Sequence, residues 1–177
     1  MYQRPEKGEY NPYYSNYIGL VPEGDVIEIL SNQVEDTIAL LEGLTEEQSS
    51  FKYGPDKWTI KEVMGHLTDT ERVMGYRILC IARGETVSLP GYDDQAYVKN
   101  APFNKCSIKE LLDHFKVVRQ STVELIKSLE SDAWLRCGTA NNDKVSVRAL
   151  VNIVAGHELH HRNIIQERYF GSEQYPK

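Results

Sequence analysis

Leu150-Val151-Asn152-Ile153-Val154-Ala155-Gly156-His157-Glu158-Leu159-His160-His161-Arg162-Asn163-Ile164-Ile165 carries the helical signature from which the rest of the chain can be read. Leu150, Ile153, Val154, His157, His161, Ile164 and Ile165 recur at three- and four-residue spacing, so they share one face of a helix. The face that bears Leu, Ile and Val therefore also bears two histidines one turn apart, about 5.4 Å along the axis. A histidine cluster near a helix C-terminus can sit in solvent and complement the helix dipole. On an apolar stripe, two uncompensated imidazoles are costly to bury. A transition-metal ion shared by His157 and His161 compensates them, provided a third ligand comes from another element.

The remaining periodic stretches supply scaffold and candidate ligand. Asp25 to Leu44 repeats Ile27, Leu30, Val34, Ile38 and Leu41, with Asp25 and Glu28 in capping-box spacing. A short turn is expected after Thr45, and a turn at Tyr53-Gly54-Pro55-Asp56. Thr59 to Arg83 opens with Thr59 and Glu62 and ends at Gly84; its apolar face is Val63, Met64, Leu67, Met74, Ile78 and Ile81. His66 lies beside that face and is the candidate third ligand, while Trp58 precedes the cap and is expected under the helix start. Ser107 to Leu129 opens with Ser107 and Glu110 and carries Ile108, Leu111, Leu112, Phe115, Val118, Thr122, Leu125 and Leu129. His114 beside it has no His, Cys or acid four residues on and is assigned no metal role. The last helix runs from near Ser146 to before Gly171. No strand alternation is evident, and Cys137 to Asp143 reads as a turn-rich connection. Four helices of this length predict an all-α four-helix bundle, with any site built from facing helices.

Between the second and third helices, residues 85–106 form one long irregular connection containing Leu89-Pro90-Gly91-Tyr92-Asp93-Asp94. It is either a lid over the site or a crossover between distant helix ends. Three regions are expected: a Tyr-rich arm over residues 1–24, the helical domain over 25–171 and a tail over 172–177. The arm holds Tyr2, Tyr10, Tyr13, Tyr14 and Tyr17 and is too aromatic for a disordered segment, so it is expected to pack on the domain or on a second subunit.

Bulk properties narrow the function. The 177 residues fit one domain with one core, and 26 acidic against 20 basic residues give a net charge of -6. That balance disfavours nucleic acid or an anionic membrane as partner. There is no secretory h-region and no apolar run of membrane-spanning length. Cys80, Cys106 and Cys137 are odd in number and widely spaced, as expected of reduced cytoplasmic thiols. His157 to His161 also matches H-E-x-x-H, in which Glu158 is a protease base. The longer protease form requires Gly and His where Ile164 and Glu167 stand, and no substrate-holding sheet is apparent.

Taken together, Lys57-Trp58-Thr59-Ile60-Lys61-Glu62-Val63-Met64-Gly65-His66, Thr70-Glu71-Arg72 and Gly156-His157-Glu158-Leu159-His160-His161-Arg162 resemble the DinB/YfiT-like superfamily over about residues 25–170. Leu89-Pro90-Gly91-Tyr92-Asp93 looks like a subgroup feature. The resemblance implies a four-helix bundle of unusual connection order and a divalent metal, zinc or nickel, held by His66, His157 and His161. It also implies an S-transferase using a low-molecular-weight thiol such as bacillithiol as cosubstrate, or a hydrolase using metal-activated water. A non-catalytic ligand-binding or stress-related module stands as the other class. Asp69, Glu71, Glu158 and Arg162 are candidates for the surroundings of the metal, with Glu71 and Arg162 expected to pair across helices. A small-molecule substrate and a homodimer complete the expectation.

Overall fold

Asp25, Thr59, Ser107 and Ser146 each open a long helix by accepting hydrogen bonds from the free N–H groups of its first turn. Thr59 with Glu62 and Ser107 with Glu110 form reciprocal capping boxes. Asp25 caps through its own carboxylate, with Ile27 and Glu28 N–H as donors, rather than through a box with Glu28. A computed structural model describes residues 4–177, so Tyr2 lies outside the described residues. In chain order the helices are α1 (Ser15–Leu20), α2 (Val26–Leu41), α3 (Glu46–Ser49), α4 (Ile60–Ala82), α5 (Asp94–Asn100), α6 (Ile108–Lys127) and α7 (Val147–Ile164). A π-helical turn, Ile165–Phe170, extends α7.

The long helices form a four-helix bundle. α2 packs on α6 and α7, and α4 packs on the same two. Around the bundle the order is therefore α2, α6, α4, α7, with α2 diagonal to α4 and α6 diagonal to α7. Two of the three links between successive long helices must cross the end of the bundle. The crossing from α6 to α7 carries what the sequence left as a turn-rich connection: a hairpin of β1 (Cys137–Ala140) and β2 (Asp143–Ser146). Asn141 and Asn142 turn it, at φ of 53° and 65°. A paired left-handed turn of this kind matches the twist of two antiparallel strands, and Asn tolerates it.

Residues 85–106 are neither a free lid nor a bare crossover. They contain α5, capped by Asp93, and their first part bonds to the hairpin, Leu89 N–H to Thr139 O at 2.9 Å and Asn141 N–H to Leu89 O at 3.0 Å. Phe103 lies flat on Gly65 of α4, where a Cβ would stand 2.4 Å from the ring. Among the described residues, no helix is long and apolar enough to cross a membrane.

The arm packs on its own chain. Ile18 and Val21 are buried with α2 and α7 residues. α1 crosses α7 at Gly156, where a Cβ would fall 2.0 Å from the Tyr17 carbonyl oxygen, so only glycine admits this crossing. Ahead of α1, Glu9 accepts from Ser146 Oγ at 2.6 Å and Arg148 Nε at 2.8 Å, and pairs with Arg148 Nη2 as well. The Arg148 bond is the main reason the Glu9 carboxyl falls from its usual 4.5 to about 2, against a partial desolvation cost.

A depressed carboxylate stabilises the fold above its unfolded pKa and stops doing so as pH falls through the folded one. The arm is therefore expected to loosen between pH about 4.5 and about 2. Proteolysis of residues 1–24 across that range measures this. Glu9→Gln is expected to be cut more readily than wild type at neutral pH and to lose most of the pH dependence.

Candidate metal centre

The bundle core consists of two apolar clusters. One holds Val26, Leu30, Met74, Ile78, Val123, Ile126, Leu150, Val151, Ile153 and Val154; the other holds Val34, Leu41, Ile60, Val63, Met64, Leu67, Leu111, Leu112, Phe115, Ile165 and Tyr169. Each long helix also buries a polar side chain of one shared network: Thr37 on α2, Glu71 on α4, Arg119 on α6 and Glu158 on α7, none more than 3% exposed. Arg119 donates to both oxygens of Glu71 at 2.8 Å and to Leu30 O at 3.0 Å. Its Nη1 stands 2.6 Å from Glu158 Oε2, a second buried ion pair. Thr37 Oγ1 donates to Glu158 Oε1 at 2.7 Å. Burial acts against the guanidinium charge, but Glu158 and Glu71 outweigh it and raise the Arg119 pKa.

The histidines stand on the adjacent helices α4 and α7, His66 beside Met64 and Leu67 of the second cluster. His66, His157 and His161 each present a ring nitrogen, all within 4.8 Å of one another. His157 Nε2 is 3.0 Å from His66 Nε2 and 3.1 Å from His161 Nε2. A tetrahedral ion with bonds of about 2.0–2.1 Å requires nitrogens roughly 3.3 Å apart, so the donor set fits one transition ion. Desolvation is the main cause that holds His66 down at about 4 and His161 at about 3, and it puts His157 well below the usual imidazole value. All three are thus neutral at neutral pH, with lone pairs open to a metal rather than to protons.

The surrounding side chains fix the rings. Trp58 lies 4.8 Å from the His66 ring, centroid to centroid, and Tyr17 meets His157 edge-on at 5.6 Å. Thr70 Oγ1 reaches His66 Nδ1 at 3.5 Å and bonds Tyr92 OH at 2.7 Å. With Nδ1 carrying the proton toward Thr70, Nε2 is left as the ligand atom. A cavity of about 370 Å³ opens from His66 and His157. Its walls are the arm tyrosines Tyr13, Tyr14 and Tyr17, Tyr92 and Asp94 of the 85–106 connection, and the hairpin turn.

The four expected neighbours of the centre have other partners. Glu71 and Glu158 belong to the Arg119 network, and Arg162 pairs with Asp36 of α2 at 3.2 Å, so the expected Glu71–Arg162 pair does not form. Glu158 is locked between Arg119 and Thr37, which also removes it as the base of a protease motif. Asp69 bonds Arg72 at 2.8 Å and acts on His66 only through its charge. His114 is exposed. Thr70, Tyr92, Tyr17 and Arg119 escaped the sequence reading. Of these, Arg119 was detectable: it sits four residues after Phe115 and four before Val123, on the buried stripe that was extended through Val118 instead.

The DinB superfamily model matches residues 29–165, and the chain belongs to that superfamily. YfiT from Bacillus subtilis, described as a probable metal-dependent hydrolase with an unusual four-helix bundle topology, superposes with a TM-score of 0.71. It is 17% identical, over 93% of this chain and 90% of its own. The DinB-like protein YjoA, also from Bacillus subtilis, has a TM-score of 0.58 and 18% identity, over 87% of this chain and 96% of its own. At these identities the likeness shows the fold. Among curated proteins none matches the sequence.

Removing Arg119 would leave two carboxylates buried without a counter-charge. Arg119→Met is expected to cost about 3–5 kcal/mol in urea unfolding at neutral pH. Adding Glu71→Gln and Glu158→Gln should recover much of it. A loss below about 1 kcal/mol in the single variant would contradict the buried ionic layer.

Proposed function

We propose that this chain is a metal-dependent enzyme acting on a small molecule, with His66, His157 and His161 holding one divalent ion, zinc or nickel. We further propose that it transfers an electrophilic group to the sulfur of a low-molecular-weight thiol of the bacillithiol kind. The observation that carries the reading is the convergence of three neutral imidazoles, two of which, His66 and His157, line a cavity of about 370 Å³, a volume suited to a small molecule. When bound by three such ligands, an ion keeps its full charge and an open position, and supplies Lewis acidity that favours the deprotonated form of a thiol or of water.

The chain's own residues supply position and proton transfer. Trp58, Thr70 and Tyr92 orient His66, and the tyrosine walls exclude bulk water. Four acids line the cavity. Glu71 and Glu158 are committed to Arg119, and Asp143 accepts from Asn11 at 2.8 Å. Asp94 has no hydrogen-bond or ion-pair partner among the described residues, and its charge acts on His66, Tyr17 and Tyr92. We assign it as proton acceptor. In the transfer the thiol gives its proton to Asp94, the sulfur bonds the electrophilic carbon, and the leaving group departs with its electron pair. Cys80, Cys106 and Cys137 do not line the cavity, which supports a sulfur brought by a second molecule.

Hydrolysis is the second reading, favoured by the description of YfiT, with water in place of the thiol. Metal-loaded protein assayed with small aryl halides, esters and amides, with and without bacillithiol, mycothiol or glutathione, separates the two. Thiol-dependent turnover is expected, lost in His66→Ala and reduced about 100-fold or more in Asp94→Asn. Thiol-independent hydrolysis lost in the same variants would establish the second reading. Ligand binding with no turnover of any substrate would make the chain a binding module and reject both.

A further inference from the structure

The cavity has a second polar pole. Arg77, on α4, is 4% exposed and lines the cavity. It donates to Pro90 O at 2.7 Å and contacts Met74 Sδ at 3.7 Å, and no carboxylate among the described residues lies within ion-pair distance of it. The other buried arginines differ: Arg119 has Glu71 and Glu158, and Arg148 has Glu9. A guanidinium offers five N–H donors, and one carbonyl does not neutralise its charge. Nη1 and Nη2 each have a partner, whereas Nε has none among the described residues and is not sealed off, so at least this donor stays open in a side chain that lines the cavity. Helical side chains lean toward the N-terminus, and the Met74 contact is consistent with an Arg77 guanidinium that leans back toward His66.

We propose that Arg77 is the anchor of a carboxylate-binding subsite, so that the molecule entering this cavity carries a carboxylate at the end away from the histidines. A planar guanidinium with donors to spare and no counter-charge suits a carboxylate. Asp94 and Asp143 line the same cavity and would repel a phosphate dianion more than a singly charged carboxylate. Asn11, Asn141 and Tyr14, also in the lining, surround the ligand with neutral hydrogen-bonding groups. Holding Pro90 and Met74 is the structural task of the same arginine, and it uses two of the five donors.

The orientation of the bound molecule relative to the histidines rests on the function proposed above; the subsite itself does not, and metal-free protein tests it separately. Hexanoate, hexanamide and butyl phosphate are titrated calorimetrically into the full chain after chelation and again after zinc loading. In metal-free wild type, hexanoate is expected to bind at least about tenfold more tightly than hexanamide. Arg77→Gln should weaken hexanoate about 10- to 100-fold and leave hexanamide unchanged, with Arg77→Lys between. Equal binding of acid and amide by wild type, or no hexanoate binding, overturns the subsite whether or not the variants fold. Hexanoate binding that appears only with zinc and survives Arg77→Gln would assign the carboxylate to the metal instead. Tighter binding of butyl phosphate than hexanoate would overturn the choice of anion.

Discussion

Arg119 reaching Glu71 and Glu158 through the middle of the bundle is the interaction on which the arrangement of the site depends. A buried guanidinium held by carboxylates from two other helices, with Thr37 of a fourth bonded to one of them, allows little sliding or rotation of any helix. Apolar stripes alone would tolerate such slips, because Leu and Ile repack at modest cost. The network has a large desolvation cost, and what it contributes is register rather than net stability. Turning Glu158 inward toward Arg119 fixes its neighbour His157 about 100° round α7, on the side that faces α4. His66 meets it there. The three imidazoles and the ionic network thus occupy neighbouring stretches of α4 and α7.

The cavity comes from the irregular parts of the chain. The arm, the 85–106 connection and the hairpin turn close around the end of a regular bundle, and each is tied down by a specific contact. Gly156 lets α1 lie against α7, and Gly91 lies so close to Asn141 that a Cβ would meet its side-chain oxygen at 2.0 Å. Glu9 fastens the arm to Ser146 and Arg148. Tyrosine is suited to such walls, giving apolar area toward the packed side and a hydroxyl toward the ligand.

The helices and the His157–His161 pair were legible because both are periodic signals within single helices, while His66, on α4, was marked by its place beside that helix's apolar face and by the family resemblance. Caps at Thr59 and Ser107 and stripes at three- and four-residue spacing specify their helices locally. His157 and His161 share a face by the same arithmetic. The hairpin was not legible because its strands are four residues long and its turn is Asn141-Asn142, without the glycine that usually marks such turns. α5 is also short, at seven residues, and its cap, Asp93, lies inside a stretch with the composition of a loop. Partner choice among charges was least legible. Glu71 could be matched with Arg162 on sequence alone, but α4 faces α6 as well as α7, and the arginine that reaches it is Arg119. Tyr17, Thr70 and Tyr92 meet the histidines only through tertiary contacts and have no shared spacing to reveal them.

Metal stoichiometry of the purified chain tests the three-histidine centre most directly. Wild type, His66→Ala, His157→Ala, His161→Ala and the exposed-site control His114→Ala are loaded with zinc, freed of excess ion and analysed for bound metal. About one equivalent is expected in wild type and in His114→Ala, with little retained by the other three. Equal metal in wild type and in all three variants would contradict the centre described here.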